Sequence, residues 1–151
     1  VHPSAHLIGD VIVDEDASIW PTVILRGDCG QIRIGRRSNI QDATVAHGTR
    51  GWSTISVGDE CTIGHRALLH GCIVGHRCLI GMGSILLDNA EIGHDSFVAA
   101  GTLVPPGKVF EPRSFILGSP AKRVREVSSH DLEVIEISIQ TYLDLMRSYR
   151  G

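Results

Sequence analysis

Aromatic side chains make up only 5% of this 151-residue chain, and no apolar run reaches the roughly eighteen residues that a membrane helix needs. A membrane span is therefore not expected. No charged-then-apolar leader opens the sequence, so no secretory signal is expected either, although the chain begins on Val1 rather than Met and its native start stays open. A soluble, cytoplasmic protein is the resulting expectation. Charge of one sign is also lacking: 14 Lys and Arg stand against 17 Asp and Glu, a net charge of −3, which disfavours a basic nucleic-acid surface. Trp20, Trp52 and Phe115 show no order that would make a base-stacking platform. Cys29, Cys61, Cys72 and Cys78 contain no C-x-x-C pair, which excludes a zinc ribbon or a thioredoxin-like motif and points to reduced thiols. Hydrophobic residues at 42% exclude extensive disorder, and the length suits one domain with at most an appendage.

Glycine is plentiful, with 17 residues, and it belongs to a repeat. Steps of six pick out Leu7, Val13, Ile19, Leu25, Ile34, Ile40, Ala46, Val57, Ile63, Leu69, Val74, Ile80, Leu86, Ile92, Val98, Val104, Phe110 and Ile116, all of them apolar. The frame slips only after Leu25, Ala46 and Leu69. Glycine follows the apolar residue at Gly35, Gly58, Gly64, Gly75, Gly81 and Gly93, where a corner is expected to need a permissive backbone. Small side chains such as Ser38, Thr44, Cys61, Ala67 and Cys78 stand four residues after it. A period of six suits neither an amphipathic helix nor a hairpin meander, but it suits short strands with one inward residue each.

This pattern resembles the hexapeptide-repeat family. The resemblance implies a left-handed parallel β-helix of three flat faces, here about six coils over residues 1–120. Residues 121–151 read as an appendage. Ala121–Val127 is expected to be a linker with Lys122, Arg123 and Arg125 in solvent, and Ser128–Tyr149 a helix that covers a face or a neighbouring subunit. Leu132, Ile135, Ile139, Tyr142, Leu143 and Met146 follow helical steps, and Ser128 with Asp131 looks like a capping pair.

Counting faces from Leu7 places Arg26, His47, His70 and Leu87 in one outward column on face one, spaced by the inter-strand distance of about 4.8 Å. Two imidazoles at that spacing can converge on one zinc through bonds of about 2.0–2.1 Å. His65, with Asp42 beneath it, falls on face three, so it joins the pair only if neighbouring chains pack around a threefold axis. His76 and His94 stack on face two and read as exposed polar residues, while Cys61 and Cys78 read as reduced core filler.

The segments R-G-D at 26–28, N-I-Q-D at 39–42, V-A-H at 45–47, I-G-H-R-A-L-L-H-G-C at 63–72 and I-G-M-G at 80–83 resemble the gamma-class carbonic anhydrases. V-A-A-G-T-L-V-P-P-G at 98–107 and G-S-P-A-K at 118–122 are similar to the bacterial branch of that family. The resemblance implies a homotrimer holding zinc or iron through His47 and His70 of one chain and His65 of the next, and hydrating carbon dioxide to bicarbonate. It also implies that Gln41 orients the oxygen on the metal and that Arg26, Asp28 and Asp42 form ion pairs across the interface. Two departures stand out: Cys29 occupies a position where the archetypal enzyme carries glutamate, and the 48–56 loop holds no carboxylate, so proton export is expected to be slow. Cys29 itself reads as a small loop residue. Acyl transfer or thioester hydrolysis on a coenzyme A substrate, and a non-enzymatic metal-binding assembly trimer, are the competing readings.

Overall fold

The computed structural model describes residues 1–149; the last two residues of the 121–151 appendage lie outside the described residues. Every sixth-residue position pairs in parallel with its counterpart one coil away. On face one Leu7, Leu25, Ala46, Leu69, Leu86 and Val104 are successive partners. On face two the series is Val13, Ile34, Val57, Val74, Ile92 and Phe110. On face three it is Ile19, Ile40, Ile63, Ile80, Val98 and Ile116. The result is a parallel β-solenoid of about six turns, as the hexads imply. The frame residues line its axis and are buried, apart from Leu7 and Val13 in the first coil, which has no coil beneath it.

The corners work differently from the expectation. Ten non-glycine residues adopt positive φ, and all are fourth in their hexads: Asp16, Thr22, Arg37, Ala43, Glu60, Arg66, Arg77, Asn89, Asp95 and Arg113. That conformation costs an L-residue roughly 1–2 kcal/mol. An inter-coil hydrogen bond from the same residue offsets it: Glu60 N donates to Arg36 O at 2.8 Å, Arg77 N to Asp59 O at 2.9 Å and Arg113 N to His94 O at 2.8 Å. The glycines that follow the apolar residue are there for closeness, not for φ. A Cβ on Gly93 would lie 2.3 Å from Pro112 N, and one on Gly81 2.4 Å from Ala100 N.

Along the corner between faces two and three the left-handed residues alternate in charge. Glu60 pairs with Arg37 at 3.3 Å and with Arg77 at 3.5 Å, and Arg77 reaches Asp95 at 3.1 Å. His76 and His94 stack beside them with ring centroids 5.0 Å apart. They are more than exposed polar residues, because each Nδ1 accepts a backbone N–H from the coil below, Asp59 N at 2.8 Å and His76 N at 2.9 Å. Cys61, Cys72 and Cys78 are free thiols in the core, and burial pushes Cys72 up to about 12.

The expected linker is a strand. Ala121–Glu126 runs antiparallel to Ser114–Gly118 and covers the exposed edge of the last coil on face three. Lys122 and Arg123 do lie at the surface, but Arg123 Nε donates to Ser114 Oγ at 3.1 Å. Arg125 is exposed as expected but also has a structural role: its guanidinium sits 3.9 Å from the Phe115 ring centroid and grips Asp131. Asp131 in turn accepts from Ser128 N at 2.7 Å while its own N–H donates to Ser128 Oγ at 3.2 Å, the reciprocal cap read from the sequence. From there the helix Ser129–Tyr149 lays Ile135, Ile139, Leu143 and Met146 against Leu79 and Phe97 on face three of its own chain. Among the described residues no helix is long and apolar enough to cross a membrane.

Candidate functional site

On face one, Arg26, His47 and His70 are direct cross-strand partners, so parallel pairing alone delivers the histidine column. The His47 and His70 rings lie 5.6 Å apart at 64°, both half-buried. Each is held by a carboxylate. His70 Nδ1 lies 2.9 Å from Asp88 Oδ2, and His47 Nε2 lies 3.1 Å from Asp28 Oδ1. An ionised carboxylate only accepts, so these nitrogens carry the protons and the opposite ones, Nε2 of His70 and Nδ1 of His47, keep their lone pairs.

Asp88 is buried, and the Ser53 hydroxyl donates to its other oxygen. Desolvation works to raise its pKa, but the bonds from Ser53 and His70 outweigh it and hold the carboxyl below the usual range. Asp28 follows the same logic: desolvation opposes ionisation, and the bonds from Arg26, at 2.9 Å, and from His47 prevail. Ser53 comes from the 48–56 loop created by the frame slip after Ala46, and Thr49 N donates to its hydroxyl oxygen at 2.9 Å. Arg50 of the same loop reaches Asp28 O at 3.2 Å.

His65 does not join them within the chain. It occupies the turn after Ile63, on the edge between faces three and one, rather than the flat of face three. There its Nδ1 pairs with Asp42 at 3.0 Å, and the Tyr142 hydroxyl stands 3.4 Å from Nε2. Burial and the Asp42 charge raise the pKa of the Tyr142 phenol, keeping it a donor. Gln41 is buried and spends its amide inside the chain, accepting from His65 N at 3.2 Å and donating to Asn39 Oδ1 at 3.1 Å. Asn39 and Ser138 both donate to Thr62 Oγ1, so a hydrogen-bonded line runs from the helix to the His65 backbone. Of the residues expected at the site, the structure thus brings together Arg26, Asp28, His47 and His70, and separately Gln41, Asp42 and His65. The sequence reading passed over Asp88, Ser53 and Tyr142. Gly71 was the available signal, since a Cβ there would meet Ser53 Oγ at 2.1 Å and Asp88 Oδ1 at 2.5 Å.

Residues 71–106 match the family model described as bacterial transferase hexapeptide (six repeats). The chain is 44% identical to the carnitine operon protein CaiE of Escherichia coli over 146 residues, 97% of this chain and 74% of that protein. A Bacillus cereus protein of known structure, provisionally described as an acetyltransferase, superposes with a TM-score of 0.91 at 38% identity over 98% of this chain and 89% of its own. A hexapeptide transferase family protein from Anaplasma phagocytophilum gives 0.84 at 38% identity over 98% and 90%. None of these relatives is described as a carbonic anhydrase. The identity and coverage make this chain a member of the hexapeptide-repeat transferase family, with that family's left-handed parallel β-helix and a C-terminal helix.

Proposed function

We propose that the chain is an enzyme of acyl-group chemistry, acting on a coenzyme A thioester by transfer or hydrolysis, with His70 as general base. The observation that carries this reading is the His70 Nδ1 to Asp88 contact at 2.9 Å, which fixes the tautomer and leaves Nε2 for substrate. His70 Nε2 takes the proton of the attacking hydroxyl, amine or water as the nucleophile adds to the thioester carbonyl. The ionised Asp88 stabilises the imidazolium, which then protonates the departing thiolate as the carbon–sulfur bond breaks. Family membership and the transferase-type relatives support the substrate class. A cytoplasmic setting accords with it.

Assembly belongs to the same reading. Ile24, Val45, Leu68, Ile85 and Leu103 point outward from face one in a column beside the histidines, and none of them is buried. A homotrimer packed on this column would cover it and place a neighbour's His65 edge near His47 and His70.

A second reading, metal-dependent hydration of carbon dioxide, rests on the carboxylate held against each imidazole, the arrangement that orients metal ligands. His70 fits a zinc or iron through Nε2, His47 through Nδ1, and His65 fits only as a contribution from an adjoining chain. Such an ion would supply Lewis acidity. Asp88 and Asp28 would hold the rings in place, and Arg26 would keep Asp28 ionised. The assay that separates the readings runs one preparation, with and without zinc or iron, on two substrates. Thiol release from acyl-CoA supports the first reading, and carbon dioxide hydration without thiol release replaces it with the second. A folded protein inactive on both leaves only an assembly role.

A further inference from the structure

Three of the four thiols are buried in the solenoid axis, and Cys29 alone is partly exposed. It follows Asp28 on the strand Ile24–Ile34, where the frame slips by three residues between faces one and two. The donor atoms of Asp28, Cys29 and His47 all lie within 4.8 Å of one another. We propose that these three residues form a site for a soft divalent cation such as zinc, built within a single chain and liganded by the Cys29 thiolate.

One of the three donor pairs already stands at the spacing a tetrahedral ion needs. Bonds of about 2.0–2.1 Å to nitrogen and oxygen put two ligands about 3.3 Å apart along a tetrahedral edge. Asp28 Oδ1 and His47 Nε2 stand 3.1 Å apart, so the ion replaces the proton they share. Arg26 occupies the other carboxylate oxygen at 2.9 Å and keeps it out of the ligand set. Arg50 lies on the Asp28 carbonyl at 3.2 Å. Two guanidinium groups so near oppose a dication, and a third neutral ligand would leave that repulsion uncompensated. A thiolate balances it, and its proton passes to solvent on binding. A water would complete the four ligands.

The site shares His47 with the metal-dependent reading above but uses neither His70 nor His65, and it does not depend on the acyl-CoA reading. The test must therefore separate the two sets of ligands. The full chain, stripped with a chelator, is titrated with Co2+ and followed by absorption. A near-ultraviolet sulfur-to-cobalt charge-transfer band is expected to saturate at about one cobalt per chain, to vanish in Cys29→Ser and to persist in His65→Ala. In wild-type protein, needing no variant, Zn2+ is expected to protect Cys29 from alkylation by N-ethylmaleimide, read by mass spectrometry. A missing band, a band unchanged in Cys29→Ser, or alkylation indifferent to Zn2+ overturns the proposal. A cobalt spectrum without the sulfur band that disappears in His65→Ala also overturns it, while leaving the three-histidine site standing.

Discussion

A methyl group on Gly71 has nowhere to go, because Ser53 Oγ and Asp88 Oδ1 fill the space and φ is +67°. Gly71→Ala is expected to lower stability by about 1–3 kcal/mol in denaturant unfolding, and an added Ser53→Ala to restore part of it. Failure of the double variant to recover would mean that the cost is set by φ and by the Ser53 Cβ and Asp88 Oδ1, each 2.5 Å from the added methyl, rather than by the Ser53 hydroxyl. The same crowding explains why Asp88 escaped the sequence reading. It lies one coil beyond His70, third in a hexad whose second residue is the unremarkable Leu87, and only the structure shows its carboxylate reaching back to the ring. His47 and His70 were legible because one repeat register places both. Asp88→Asn removes the charge that holds His70 and is expected to lower kcat/KM by about 10–100-fold with little change in Tm. A rate equal to wild type would remove Asp88 from the mechanism.

At the scale of elements, the helix start was readable and the strand before it was not. Ser128 and Asp131 announce themselves by their three-residue spacing. The strand Ala121–Glu126 has five consecutive exposed residues after Ala121, so it lacks the alternation that marks a strand and is held instead by the backbone edge of Ser114–Gly118 and by Arg125. Arg125 holds the Asp131 carboxyl well below the usual carboxylate range, against the opposing effect of desolvation and with help from Ser128. The sign follows from that direction. A carboxyl lowered on folding stabilises the native state above the unfolded value of about 3.9 and loses that contribution as pH falls through the folded value. Between about pH 4 and the acid limit of folding, the Tm of the wild type is expected to drop more steeply than that of Asp131→Asn. Parallel curves would show that the pair contributes nothing to the coupling of helix and strand.

For the whole molecule, hexad counting alone is enough to reproduce the coil-to-coil partners on all three faces, because each strand has one inward position and a slip would expose it. Function was less legible, since the solenoid is common to different chemistries and the segments that resemble gamma-class carbonic anhydrases include the frame itself. His65 shows the limit most clearly: within one chain it stands with Asp42 and Tyr142, apart from His47 and His70, and only the proposed trimer would bring it near them. The apolar column of face one makes that assembly testable. Leu68→Asp is expected to shift the protein from trimer to monomer in sedimentation velocity, and a trimer that withstands the charge would place the interface elsewhere.

In the proposed reaction His70, held by Asp88, moves the proton during cleavage of a coenzyme A thioester. Release of free coenzyme A thiol from acyl-CoA substrates of graded chain length, with and without an acceptor alcohol or amine, measures this in wild type and His70→Ala. Release by the wild type is expected, with a fall of at least about a hundredfold in the variant at unchanged Tm. Equal rates in the two proteins, or no thiol release with any substrate pair, would contradict it.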